Sequence, residues 1–165
     1  MGAMRCLIDS NVFDAIAAEP DLLELVDRLT SARWLELLAA TVSVEQVAAT
    51  PDEWHRRDLQ RVRVLVVPPV DEHDRAVAAL LAALRRISGI DDALIAAAAA
   101  AQRVPLVTED RRLREAAAAH LPGLVLWSWA ADLRPRVVAL GREHPPPPYR
   151  RRHMAPRPAA HRPAH

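Results

Sequence analysis

Four acidic side chains lie where an apolar strand or run gives way to a helix: Asp9, Glu45, Asp92 and Asp110. In a parallel sheet such boundaries fall along one edge, so the four carboxylates are expected to converge in the crevice beyond the strand ends. A cluster of carboxylates repels itself unless a cation is bound, and oxygen ligands of this kind suit Mg²⁺ or Mn²⁺. The pattern therefore predicts metal-dependent hydrolysis of a phosphodiester, with RNA as the expected substrate.

Each acid taken alone also has an ordinary structural interpretation. Asp is favoured at helix starts because its carboxylate caps free backbone N–H groups, and a single acid is more often a cap or a solvated charge than a metal ligand. The coincidence of four such positions favours the metal site. Asp91 and Asp92 are adjacent, so either could be the ligand. A predicted capping box between Ser88 and Asp91 would leave Asp92 for the metal.

Two arginines follow Asp110 directly. Arg111 and Arg112 could contact the scissile phosphate through their forked guanidinium groups, and a solvated helix face explains them equally well. Zinc is not expected, because the histidines of the folded part have no partner at zinc-ligand spacing. These histidines, which are expected at the surface, are His55, His73 and His120.

The elements that must hold the acids follow from apolar periodicity. Strands are predicted over residues 5–9, 35–42, 62–67, 104–107 and 124–127. Helices between them give the order β-α-α-β-α-α-β-α-α-β-α-β-α, which predicts an α/β fold with right-handed crossovers. Ser43 is expected to cap the helix of Glu45 together with Gln46. The helix that starts with Asp91 and Asp92 continues into six alanines and should be buried.

The chain length predicts one domain, residues 1–140, followed by a tail, residues 141–165. The tail holds seven of the fourteen prolines and six arginines against one glutamate, so it is expected to be disordered. Its Arg150–Arg152 run could attract RNA without sequence choice. An extension with no dedicated role explains the tail equally well.

Compartment and membrane association are predicted from three features. Cys6 is the single cysteine, which excludes an internal disulfide framework, and it is expected to be a buried hydrophobe. The N-terminus lacks the long apolar stretch of a signal peptide. The alanine run at 96–101 is too short to span a bilayer. A cytoplasmic protein without membrane association is therefore predicted.

The tryptophans and leucines give weaker expectations. Packing roles are expected for Trp34, Trp54, Trp127 and Trp129. Stacking on unpaired bases is the alternative for Trp54, which lies beside Arg56 and Arg57 in a polar helix. The segment Leu22 to Leu38 is expected to expose apolar surface on which a partner helix docks.

Four segments together resemble the PIN-domain nucleases, and most closely the VapC-like toxins of type II toxin-antitoxin pairs. They are LIDSN, Ser43-Val44-Glu45, DDALIAAAA and LVTED, and the resemblance covers about residues 4–130. It implies a PIN-like three-layer α/β/α fold with a central, mostly parallel sheet of four to five strands. It also implies Mg²⁺-dependent cleavage of RNA, a cognate antitoxin that blocks the site, and a homodimer.

The resemblance assigns roles residue by residue. Asp9 and Asp92 match the metal-binding aspartates of the family. Glu45 and Asp110 match acids that complete the pocket or hold a second ion. The polar positions that orient the carboxylates or the attacking water are matched by two further residues, Asn11 and Thr108.

Two alternatives to a toxin remain open at this point. The chain could be an RNA-processing PIN nuclease without a toxin role. It could also be a binding module for RNA or protein whose catalytic site has lapsed, although the four acids are all present.

Overall fold

Five parallel strands form one sheet in the computed structural model, which describes residues 2–148. The strands are β1 (Met4–Ile8), β2 (Leu35–Ala39), β3 (Leu65–Val66), β4 (Leu106–Val107) and β5 (Leu126–Trp127). They lie in the order β3-β2-β1-β4-β5, and every neighbouring pair is parallel. The predicted α/β fold is confirmed, and the sheet is wholly parallel.

Helices connect the strands in the predicted order. Within residues 2–148 they are α1 (Ser10–Ala17), α2 (Pro20–Ser31), α3 (Thr41–Ala48), α4 (Glu53–Gln60), α5 (Arg75–Arg85), α6 (Ile90–Gln102), α7 (Arg111–His120) and α8 (Arg134–Glu143). A five-residue π-helix, Trp129–Leu133, precedes α8 and was not predicted. Such π segments are rare and often lie at functional sites.

The helices cover the sheet on both faces and so form three layers. Alternate residues of a strand point to opposite faces, as Leu7 and Ile8 illustrate. Ile8 packs with α1, α2, α3, α4, the π-helix and α8, whereas Leu7 packs with α5, α6 and α7. Burial on both faces explains why the strands are almost continuously apolar.

The strand order reverses beside β1. The chain proceeds from β1 to β2 and β3 on one side, and returns to β4 and β5 on the other. Ile8 pairs with Val107, and the N–H of Asp9 donates to the carbonyl of Val107 at 2.9 Å. The residues that follow β1 and β4 are therefore neighbours at a topological switch point, where open α/β sheets bind their ligands.

Several predicted boundaries were too long. Strand β2 ends at Ala39, because Ala40 is the extended N-cap residue of α3. Strand β3 is confined to Leu65–Val66, and β4 begins only at Leu106. In each case the apolar run extends beyond the residues that belong to the strand, so apolar character alone overestimates the strand length.

Both predicted capping boxes are absent. Ser43 lies buried inside α3 rather than at its start, and Gln46 donates instead to Asp91. Gly89 is the N-cap residue of α6, and the hydroxyl of Ser88 donates back to the carbonyl of Leu84. The positive φ of Gly89, 95°, turns the chain into α6 without a side-chain cap.

The segment expected to expose an apolar docking surface is buried instead. Leu22, Leu23 and Leu29 of α2 all lie in the core. Helix α8 covers this side, and it packs so closely that a Cβ on Gly141 would lie 2.7 Å from Leu25 Cδ1. The chain's own C-terminal helix therefore occupies the surface that the sequence assigned to a partner.

The tryptophans divide between core and surface. Trp129 is buried, and Trp34 is partly exposed but stacks on His144 with ring centroids 3.7 Å apart. Trp127 is half-buried, with the Arg136 guanidinium 4.5 Å from its ring centre. The packing prediction was wrong for Trp54, which is 75% exposed.

The C-terminal region begins later than the composition indicated. Helix α8 continues to Glu143, so the first residues of the predicted tail are helical. The Arg150–Arg152 run lies outside the described residues. Among residues 2–148, no helix is long and apolar enough to cross a membrane.

Candidate functional site

Asp9 is a buried carboxylate at the end of the central strand. Its side chain is 4% exposed, and it caps α1 by accepting a 2.7 Å hydrogen bond from the N–H of Ser10. The other carboxylate oxygen accepts a 2.7 Å hydrogen bond from the Thr108 hydroxyl and a 3.3 Å bond from the Asn11 amide. These donors hold Asp9 in one orientation in a place that water scarcely reaches.

Thr108 and Asp110 follow β4 and form the second wall of the site. The Thr108 side chain is fully buried, and its Oγ1 accepts from the N–H of Asp110 at 3.0 Å while it donates to Asp9. Asp110 caps α7 by accepting from the N–H of Leu113 at 3.1 Å. Each of the two predicted acids that follow a strand, Asp9 and Asp110, therefore also begins a helix.

Asn11 connects the two walls. Its amide nitrogen donates to Asp9, and it lies 3.5 Å from Thr108 Oγ1. Its amide oxygen accepts from the N–H of Glu109 at 3.3 Å. The Glu109 N–H on one side and the Asp9 carboxylate on the other determine which way the Asn11 amide faces.

Asp92 approaches the same place from the first turn of α6. Burial raises its pKa to about 6, with smaller contributions from the negative charges of Asp110, Asp9 and Asp91. The pKa of Asp9 is also raised, first by burial, and the Asp110 charge adds to it, whereas hydrogen bonds from Thr108 and Ser10 lower it. The negative charge of Asp110 thus acts on both Asp9 and Asp92, so the three aspartates lie in the same region.

The donor set suits a hard divalent cation. Carboxylates that repel one another beside a buried aspartate gain from an ion that neutralises them, and Mg²⁺ needs only one or two protein carboxylates because it retains several waters. In residues 2–148, no three His, Cys, Asp or Glu side chains are arranged to hold an ion by themselves. Asp9 and Asp92 would be the carboxylates that hold such an ion, with waters completing its coordination.

Glu45 lies on α3, and its side chain is exposed. Its neighbour Gln46 reaches α6, where it donates to Asp91 Oδ2 at 3.0 Å. Asp91 is therefore hydrogen-bonded to a residue of α3, whereas the pKa of Asp92 is raised by the charges of Asp110 and Asp9.

The two arginines after Asp110 behave differently. Arg111 forms an exposed ion pair with Glu115, one turn along α7, at 2.8 Å. Arg112 donates to the carbonyl of Ile87 at 3.0 Å, and its charge lowers the pKa of Asp92. Arg112 therefore lies at the acidic site, and Arg111 points along its own helix.

Glu109 is a site residue that the sequence reasoning missed. Its carboxylate accepts a hydrogen bond from the N–H of Trp129, at the start of the π-helix, while its own N–H donates to Asn11. It thereby ties the loop after β4 to the segment after β5. Its position between Thr108 and Asp110 was visible in the sequence, but nothing there indicated that it contacts a segment twenty residues later.

Comparisons with known proteins bear on the family and the fold. A family model described as the PIN domain matches residues 6–119. The fold is similar to that of VapBC2 from Rickettsia felis bound to a DNA fragment from their promoter, with a TM-score of 0.54, 19% sequence identity, and coverage of 76% of this chain and 98% of that chain. It is also similar to PAE2754 from Pyrobaculum aerophilum, with a TM-score of 0.51, 17% identity, and coverage of 86% and 98%. No curated protein matches the sequence.

Proposed function

This chain belongs to the PIN-domain family, and we propose that it is a Mg²⁺-dependent endoribonuclease that hydrolyses RNA phosphodiesters. One observation carries the proposal. Asp9 and Asp92 come from separate elements to the switch point of a parallel sheet, where burial and the negative charge of Asp110 raise the pKa of both carboxyl groups. Such repulsion is costly for a merely structural cluster, but it favours the binding of a divalent cation.

The proposed roles follow from the geometry. Asp9 and Asp92 would hold Mg²⁺, or Mn²⁺ in its place, and Asp110 would complete the pocket. When bound, the ion lowers the pKa of the attacking water and stabilises the leaving oxygen. Asn11 and Thr108 keep Asp9 oriented through their hydrogen bonds.

Three further residues have proposed roles at the rim. Arg112 is available to contact the scissile phosphate once its hydrogen bond to the Ile87 carbonyl is broken. Arg111 could do so only after its ion pair with Glu115 is broken. Glu45, exposed on α3, would complete the acidic set.

We further propose that the protein is the toxin of a type II toxin-antitoxin pair, with a cognate antitoxin as partner and a homodimeric assembly. The support is the resemblance of its motifs to VapC-like toxins and the similarity of its fold to VapBC2. A small antitoxin-like gene beside this one would favour the toxin. An isolated gene would favour an RNA-processing nuclease of the same family.

The test is cleavage of a mixed structured RNA by the purified protein. Cleavage is expected with Mg²⁺, and it should disappear with EDTA and in Asp92→Ala. Asp91→Ala is the matched control, because Asp91 is adjacent in sequence but paired with Gln46. Circular dichroism establishes that each variant is folded.

Two outcomes would contradict the proposal. Cleavage that survives in both EDTA and Asp92→Ala would come from a contaminant or from another site. No cleavage of any RNA by folded, Mg²⁺-loaded protein would favour a binding module whose catalytic site has lapsed.

A further inference from the structure

The solvent face of α4 carries an exposed aromatic side chain among arginines. Trp54, Arg57 and Arg61 are spaced at i, i+3 and i+7, so they form one stripe about 10 Å long. Trp54 is 75% exposed, and the Arg57 guanidinium lies over its ring, 5.3 Å from the ring centre. A tryptophan this exposed does not gain the stabilisation that burial of the indole ring usually gives, so its exposure favours a binding role.

The stripe lies near the acidic site. His55, the residue after Trp54, lies 2.8 Å from Asp14 on α1. Asp14 follows Asp9 by five residues, which is about 7–8 Å along a helix axis. A stacked strand advances about 3.4 Å per nucleotide. The separation between the acids and this part of α4 therefore corresponds to the length of a few stacked nucleotides.

We propose that Trp54, with Arg57 and Arg61, forms a stacking platform for an unpaired base of the RNA strand that occupies the acidic site. This proposal rests on the proposed ribonuclease function and adds a preference for single-stranded substrate next to the cleavage position. Aromatic rings bind unpaired bases by stacking with little sequence preference, and arginines beside them contact the phosphates.

The surroundings of Trp54 favour RNA over a protein partner. The neighbouring side chains on the solvent face of α4 are charged: Glu53, Arg57, Asp58 and Arg61. The centre of a protein interface is depleted of charge and has apolar neighbours around its aromatic anchor. A single ring bordered by guanidinium groups instead matches the alternation of flat bases and phosphates in a nucleic acid strand.

The ion pairs on the stripe do not prevent phosphate binding. Arg57 pairs with Glu53 and Arg61 pairs with Asp58, the latter at 3.9 Å, and all four side chains are more than half exposed. Exposed pairs of this kind contribute little to stability, so they can exchange partners readily. A guanidinium also gains a second hydrogen bond when it contacts a phosphate in bidentate fashion.

The test measures binding of a fluorescein-labelled oligouridine of about 12 nucleotides to the full chain by anisotropy, in EDTA so that cleavage does not interfere. Trp54→Ala should weaken binding at least about fivefold, and Trp54→Phe should restore most of the affinity because the ring is kept. Trp34→Ala is the matched control, since Trp34 lies before β2, at the opposite end of the sheet from the acids. A duplex RNA should bind wild type and Trp54→Ala equally.

The outcomes separate this proposal from the ribonuclease itself. Trp54-dependent binding without any cleavage in Mg²⁺ would support the platform and contradict the nuclease. Cleavage together with oligouridine binding that is unchanged in Trp54→Ala would overturn the platform and leave the nuclease intact. The platform is also overturned if wild type does not bind oligouridine, or if Trp54→Ala alters only the oligomeric state in sizing experiments.

Discussion

The hydroxyl of Thr108 donates a 2.7 Å hydrogen bond to Oδ2 of Asp9, across 99 positions of the sequence. Both side chains are buried, and both residues follow strands that are paired at the centre of the sheet. This bond joins the two walls of the acidic site. It also opposes the burial that raises the pKa of Asp9, because it stabilises the ionised carboxylate.

Thr108→Val tests the importance of this bond. Valine fills the same space but leaves Asp9 Oδ2 with only the longer bond from Asn11 and removes the acceptor of the Asp110 N–H, so the free energy of unfolding should fall by about 1–3 kcal/mol. Urea denaturation at neutral pH measures the change. Thr108→Ser keeps the hydroxyl and should lose less. Equal stability of Thr108→Val and wild type would show that the bond contributes nothing.

The raised pKa of Asp92 predicts a pH dependence of stability without metal. The pKa of Asp92 in the folded state is about 6, whereas the ordinary pKa of an aspartate is 3.8. Between these values the folded state binds more protons than the unfolded state, so this group's contribution to stability is full at low pH and is lost as the pH rises towards 6. Asparagine does not titrate, so Asp92→Asn should not lose stability in this way as the pH rises.

The measurement is urea denaturation of wild type and Asp92→Asn in EDTA, below pH 4 and at pH 7. The variant should gain stability relative to wild type at the higher pH. Asp58→Asn, on the exposed side of α4, is the control and should show no such difference between the two pH values. A stability difference between wild type and Asp92→Asn that is the same at both pH values would contradict the raised pKa.

Mg²⁺ should stabilise the wild-type protein against heat. At a concentration about a hundredfold above its Kd, an ion that binds only the folded state adds about 2.7 kcal/mol, which corresponds to about 5–10 °C in Tm for a chain of this size. Asp9→Asn should abolish the increase, whereas Asp14→Asn, further along the same helix, should retain it. An unchanged Mg²⁺ response in Asp9→Asn would remove Asp9 from the metal ligands.

Gly89→Ala tests the turn that presents Asp92. A Cβ at Gly89 meets no atom within 4 Å, so any cost comes from the backbone φ of 95° rather than from a clash. We expect a loss of about 1–2 kcal/mol in the free energy of unfolding. Gly123→Ala is the matched control, because it also meets no atom but lacks a positive φ. Comparable stability of the two variants would show that the turn is unstrained.

The local prediction succeeded where a residue's role depends on its neighbours in the chain. Asp9 and Asp110 were identified because each follows an apolar run and opens a helix, and both do so in the structure. It failed where a side chain has a choice of partners. Ser43 and Gln46 have the spacing of a capping box. In the structure Ser43 is buried inside α3, and the side chain of Gln46 donates to Asp91.

The sequence by itself determined the order of strands and helices, the parallel sheet, and the acids that follow β1 and β4. These depend on apolar periodicity and helix-start chemistry, which act over a few residues. Tertiary structure alone decided that Ser43 is buried inside α3, that Gln46 donates to Asp91, and that α8 covers α2. The physical reason is that orientation and burial depend on packing between elements distant in the chain, and no local pattern encodes that packing.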